Sequence, residues 1–163
     1  MRSRLFMLGL AVVLFGVAGC GSSSSSSSTS TPGSTGATAK SGKAAAVSSR
    51  TFSVKLTGAA ETPAGAPRGS GTAVVTLSGK KLRACWTFRN LTGFDKPATA
   101  AHIHQGGKGV SGPIVIPFGG AYTPKGCAPA SAALITAIAA NPKGYYVNVH
   151  SKTYPGGALR SQL

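Results

Sequence analysis

Tyr146-Val147-Asn148-Val149-His150 decides the fold. Side chains on a β-strand point alternately to opposite faces. This stretch therefore sends Val147 and Val149 one way and Tyr146, Asn148 and His150 the other. Ala101-His102-Ile103-His104-Gln105-Gly106 has the same period, with His102 and His104 on one face and Ile103 on the opposite one. Together the two stretches hold all three histidines of the chain. Aliphatic groups on one side and imidazoles on the other predict two half-buried strands.

The same period recurs on either side. Residues 51–57 place Phe52, Val54 and Leu56 together, and residues 72–77 do so with Ala73, Val75 and Leu77. Residues 81–89 set Leu82, Ala84, Trp86 and Phe88 against Arg83, Cys85, Thr87 and Arg89. Further strands are expected at 98–104, 114–118, 144–150 and 158–163. Turn formers separate them: Pro63 to Gly69, Ser78-Gly79, and Asn90 to Pro97. The glycine-rich stretch from Gly106 to Pro113 lacks the Gly-Lys-Ser/Thr ending of a phosphate-binding loop, so it is expected to be a plain hairpin loop. One short helix is expected near 131–140, capped by Ser131, carrying Leu134, Ile135 and Ile138, and stopped by Asn141-Pro142 and Gly144. Many short alternating strands separated by turns predict an all-β fold, an antiparallel, Greek-key-like sandwich or barrel.

The amino-terminal third is not expected to join this core. Arg2 and Arg4 precede an apolar run from Leu5 to Val17, too short for a comfortable transmembrane helix and suited to an export signal. The run ends in Val17-Ala18-Gly19-Cys20, which resembles a bacterial lipobox with valine in place of the usual leucine. Residues 1–19 are thus expected to be a lipoprotein signal peptide, with Cys20 as the lipidated residue. Residues 20–49 begin with seven consecutive serines soon after Cys20 and have nothing to bury. They are expected to form a flexible tether spanning about 30 Å. Residues 50–163 form the one domain. These features predict an extracytoplasmic protein, lipid-anchored to a bacterial cell membrane.

Two further cysteines remain once Cys20 is set aside. Outside the cytoplasm a disulfide persists, so Cys85 and Cys127 are either a disulfide pair or two separate thiols. Because Cys85 falls on the polar face of its strand, a partner is expected in a loop crossing the outside of the sheet, and Cys127 sits between Pro124 and Pro129.

Charge is lopsided. There are 17 Lys and Arg against two carboxylates, Glu61 and Asp95, for a net charge of +15. Such a surface attracts anionic partners. The export signal argues against nucleic acid and points to membrane lipid headgroups, anionic envelope polymers or a protein partner, although a cationic surface also simply keeps a protein soluble. Two carboxylates make a glycosidase-type pair improbable. No Gly-x-Ser-x-Gly elbow is present.

Four stretches, taken in order, resemble the CHRD family, the module named after chordin. They are Leu56-Thr57-Gly58-Ala59-Ala60-Glu61-Thr62-Pro63; Ala101 to Gly106 with Gly112-Pro113-Ile114-Val115; Tyr146 to Ser151; and Pro155-Gly156-Gly157-Ala158-Leu159-Arg160-Ser161-Gln162-Leu163. The sequence departs from the family at Ala158, where a glutamate is usual, at Ser161, where glycine is usual, and in having one proline after Glu61 where two are common. The resemblance implies an all-β extracellular domain and does not imply an enzyme. In chordin such domains belong to an extracellular protein that binds signalling ligands.

The histidines admit two expectations. His102, His104 and His150 could ligate zinc or copper, for which imidazole is a common ligand, with Glu61 adding an oxygen or orienting a ring. The His-x-His spacing is distantly similar to copper/zinc superoxide dismutase, but the chain lacks the further histidines and the aspartate of a bridged two-metal centre. Alternatively, the same residues with Asn148 and Arg160 form a hydrogen-bonded polar cluster that locks neighbouring strands.

Overall fold

The computed structural model describes residues 49–163. The expected signal peptide, Cys20 and the tether up to residue 48 lie outside the described residues. Among the described residues no helix is long and apolar enough to cross a membrane.

Eight strands make one antiparallel sheet: β1 (Arg50–Thr57), β2 (Ser70–Ser78), β3 (Arg83–Thr92), β4 (Ala100–Gln105), β5 (Ile114–Pro117), β6 (Lys125–Pro129), β7 (Tyr145–His150) and β8 (Leu159–Gln162). Their order is β5-β4-β7-β8-β1-β2-β3-β6. The edge strands β5 and β6 touch, so the sheet curls into a nearly closed barrel. Closure leaves one inner face to fill, and the alternation of each strand fills it. Leu56, Val75, Leu77, Ile103, Val147, Val149 and Leu159 are wholly inside. Trp86 of β3 stacks on Phe118, just beyond β5, with ring centroids 4.3 Å apart. That pair reaches from the β5 edge to β3, the strand next to the β6 edge.

The single α-helix, α1 (Ala132–Ala140), falls where expected. Ser131 caps it by accepting from the Leu134 N–H at 3.2 Å, and Ile135 and Ile138 enter the core.

Two expectations need correction. Cys127 does not lie in a loop crossing the sheet. It is on β6, directly opposite Cys85 of β3, and the two form a disulfide with Cα atoms 3.9 Å apart. Period reading missed β6 because Lys125-Gly126-Cys127-Ala128-Pro129 has almost no apolar signal. Its inward position opposite Trp86 is Gly126, where a β-carbon would come within 2.5 Å of the Trp86 ring. Leu82 is not inward either. It sits in the β2–β3 turn at φ +49° and is 49% exposed, because the turn ends the alternation one residue before β3 begins.

Candidate functional site

The two halves of the barrel treat their outer faces differently. On β4, β7 and β8 the outward side chains are covered by loops. Those of β1, β2, β3 and β6 are open to solvent.

On the covered half, β4 pairs with β7 so that His102 lies opposite Asn148 and Ala100 opposite His150, while β8 sets Arg160 opposite Asn148. This register brings the three histidines and Asn148 together, with Arg160 on the neighbouring strand. His102 Nδ1 is 3.0 Å from His150 Nε2, and Asn148 Oδ1 is 3.1 Å from the same nitrogen. His104 and His150 are buried and His102 is half-buried. Nitrogen atoms of the three rings lie within 4.8 Å of one another. Glu61, buried just after a 3-10 turn (Gly58–Ala60), faces Asn148 rather than an imidazole.

Backbone carbonyls hold two of the rings. His104 Nδ1 donates to Gly112 O at 2.8 Å and His150 Nδ1 donates to Pro155 O at 2.9 Å. Gly112 can approach this closely only because it lacks a β-carbon, which would overlap the Gln105 carbonyl oxygen. Tyr146 stacks on His104 with centroids 4.8 Å apart, and its hydroxyl accepts from the Gly112 N–H at 3.2 Å.

Arg160 serves the covering loop more than the imidazoles. Its guanidinium lies 3.4 Å above the Tyr146 ring centre and donates to Gly107 O at 2.7 Å and Val110 O at 3.1 Å. Gln162 donates to Gly106 O at 3.0 Å. The glycine-rich hairpin loop is therefore strapped down over His104. Tyr146 and Gln162 were not anticipated as straps. Their outward register on β7 and β8 was the available signal, but the loop backbone groups they serve, the Gly112 N–H and the Gly106 carbonyl, have no signature in a sequence.

Burial disfavours the charged form of each imidazole. It pushes His102 down to about 4, with His150 and His104 adding to the effect. It lowers His104 and His150 as well, against the opposing carbonyl bonds from Gly112 and Pro155. Burial pushes the Glu61 carboxyl up to about 6, against the nearby Arg160. The signs follow from linkage. Each histidine has a folded pKa below its unfolded one, so its contribution is present above about pH 6.5 and is lost as pH falls below that, through about 4 for His102. The Glu61 contribution is present below about 4.5 and is lost as pH rises through 6. Three groups outweigh one, so metal-free protein is expected to lose stability from pH 7 to pH 5. Urea midpoints for wild type and Glu61→Gln would check this. The variant should fall more steeply, having lost the opposing group, and a flat profile in both would refute the account.

On the open half, the outward residues are hydroxyls and cations. Lys55, Thr72 and Arg89 stand opposite one another across β1, β2 and β3, and Thr87 of β3 stands opposite Lys125 of β6. Thr51 and Thr76 share a hydrogen bond at 3.1 Å. Every lysine and arginine of the described residues is exposed except Arg160. Glu61 is buried, and Asp95 accepts from Ser151 Oγ at 2.5 Å and from the Thr153 N–H at 3.1 Å, which holds it below its ordinary range.

Fold and site together define a small antiparallel β-barrel domain with an imidazole–amide cluster roofed by loops on one half. The chain belongs to the CHRD domain family, whose model matches residues 52–163. The stretches that carry the family resemblance are the ones that meet at this cluster. No curated protein and no solved structure matches the chain.

Proposed function

We propose that the chain is a non-catalytic binding module of a bacterial cell envelope. A lipid on Cys20 holds it at the outer face of the membrane, and the open half of the barrel engages anionic envelope polymer. The observation that carries this reading is the segregation of charge. The open face presents Lys55, Arg83, Arg89 and Lys125 among threonines and serines, and Glu61, which lines a cleft shared with Lys55, is itself buried. Cations without an exposed carboxylate beside them stay available to a polyanion. A tether of about 30 Å lets such a face reach polymer above the membrane.

The supply of reactive groups favours binding over catalysis. Cys85 and Cys127 are joined, Asp95 is hydrogen-bonded to Ser151 and Thr153, and Glu61 is buried. Neither a free thiolate nor a facing carboxylate pair is offered by these four residues.

Retention of the full chain on immobilised poly(glycerol phosphate) tests the reading. Affinity should fall on the order of tenfold between low and high salt, since exposed charges are screened beyond about 10 Å at 0.1 M. Combined Lys55→Glu, Arg89→Glu and Lys125→Glu should abolish retention while leaving the circular dichroism spectrum unchanged. Retention indifferent to salt and to the triple variant would end the proposal. Stronger capture by phosphatidylglycerol vesicles, with the Cys20 lipid absent, would assign the face to membrane headgroups instead. Palmitate labelling that survives Cys20→Ser would remove the anchor.

A further inference from the structure

One atom of the roofed cluster has no role in the reading above. His104 Nε2 is buried and has no hydrogen-bond partner. Leaving such a group unpaired costs on the order of 1–3 kcal/mol. A hydrogen bond joins His102 Nδ1 and His150 Nε2, with Asn148 Oδ1 beside them, but no such bond reaches this nitrogen.

The tautomers can be assigned from the partners. A carbonyl oxygen only accepts, so the Nδ1 atoms that meet Gly112 O and Pro155 O both carry the proton. In the neutral ring Nε2 is then a lone pair, for His104 and for His150 alike. Both rings are thus fixed in the form in which imidazole ligates a metal, with the far nitrogen tied to a backbone carbonyl. This is the arrangement by which metal-binding histidines are usually oriented. At His150 Nε2 the lone pair faces His102 Nδ1 at 3.0 Å; Asn148 Oδ1, 3.1 Å away, is itself an acceptor and cannot bond it in this tautomer.

We infer that His102, His104 and His150 form a site for a single divalent late transition-metal ion. His104 and His150 would supply Nε2 and His102 Nδ1, leaving one coordination position for water or an exogenous ligand. The distances allow it. Metal–nitrogen bonds of about 2.0–2.1 Å give a tetrahedron with edges of about 3.4 Å. His102 Nδ1 and His150 Nε2 are already 3.0 Å apart, and one ring nitrogen of each of the three histidines lies within 4.8 Å of the others. His102 is the most exposed of the three, so it has the freedom to rotate inward and close the remaining gap, and its exposed side gives an ion a way in. The donor set is nitrogen without carboxylate or thiolate, because Glu61 faces Asn148 and the cysteines are joined. Three imidazoles suit copper and zinc and disfavour magnesium and calcium. Cu(II) should bind more tightly than Zn(II), following the general order of affinities.

The test uses the full chain, purified in detergent without a histidine tag and stripped with chelator. Cu(II) and Zn(II) are titrated as simple salts. One equivalent of either is expected, with nitrogen hyperfine structure from the imidazoles in the Cu(II) resonance spectrum. His102→Gln, at the half-exposed position, should fold normally and bind on the order of 100-fold more weakly. His104→Ala should abolish binding and lose the nitrogen hyperfine pattern; if it fails to fold, His102→Gln decides. No stoichiometric uptake by the wild type, or equal affinity in the wild type and His102→Gln, overturns the inference and leaves the cluster as a polar knot.

Discussion

Arg160→Met is expected to lower the unfolding free energy by about 3 kcal/mol and to release the glycine-rich loop. Arg160 is 1% exposed and is the one cation of the described residues that does not reach solvent. Its guanidinium donates to Gly107 O, Val110 O and the Gln162 side chain, and it covers the Tyr146 ring. Hydrogen bonds to a charged donor are worth about 1.5–3 kcal/mol each, and the acceptors left behind cost more if they stay buried. The loop spares itself part of that penalty by swinging into water. It has no apolar anchor of its own, since Val110 is 55% exposed. Methionine keeps much of the bulk over Tyr146 but makes none of the bonds. Lysine should not rescue, because a point charge cannot serve several acceptors with the planar fork of arginine. Urea unfolding gives the stability change, and proteolysis within 106–113 of otherwise folded protein reports the loop. A variant as stable and as protease-resistant as wild type would refute the strapping role.

The second large effect concerns the Cys85–Cys127 disulfide. Replacing both cysteines by alanine should cost about 4 kcal/mol in the chain-entropy account, for a sequence separation of 42 residues. β6 depends on this bond more than the other strands do. It is an edge strand with few inward side chains, held otherwise by its ladder to β3, by Trp86 Nε1 donating to Thr123 O at 3.0 Å, and by the Phe88 N–H donating to Pro124 O at 2.7 Å. The loss should therefore appear first as faster amide exchange in β6 and at Trp86, then as a lower urea midpoint. A double variant whose midpoint matches that of wild type would show that the ladder alone suffices.

The barrel was largely legible in the chain. Where strands alternate, the inward residues named from the sequence are inward: Leu56, Ala73, Val75, Leu77, Ala84, Trp86, Phe88, Ile103, Val147 and Val149, with Phe52 and Val54 partly buried against them. The prediction failed at β6 and at Leu82. β6 is defined by the strand it pairs with and by a glycine that makes room for Trp86, and neither is a property of its own five residues. Leu82 continues the alternation of β3 on paper, but the preceding turn imposes a backbone conformation that points it into water.

The periodicity of two alone determined that aliphatic side chains go to one side and His102, His104, Asn148 and His150 to the other, because that follows from local backbone geometry. The residue types likewise determined that imidazoles rather than carboxylates would dominate any site. Only the tertiary structure decided which strands are neighbours, and hence that rings on β4 and β7 meet. It alone placed a roof over one half of the barrel, left the other half as an open cationic face, and set Gly112 and Pro155 carbonyls against the imidazoles. Backbone carbonyls are the same at every position of a sequence, so what they will touch is fixed by folding and by nothing written in the side chains.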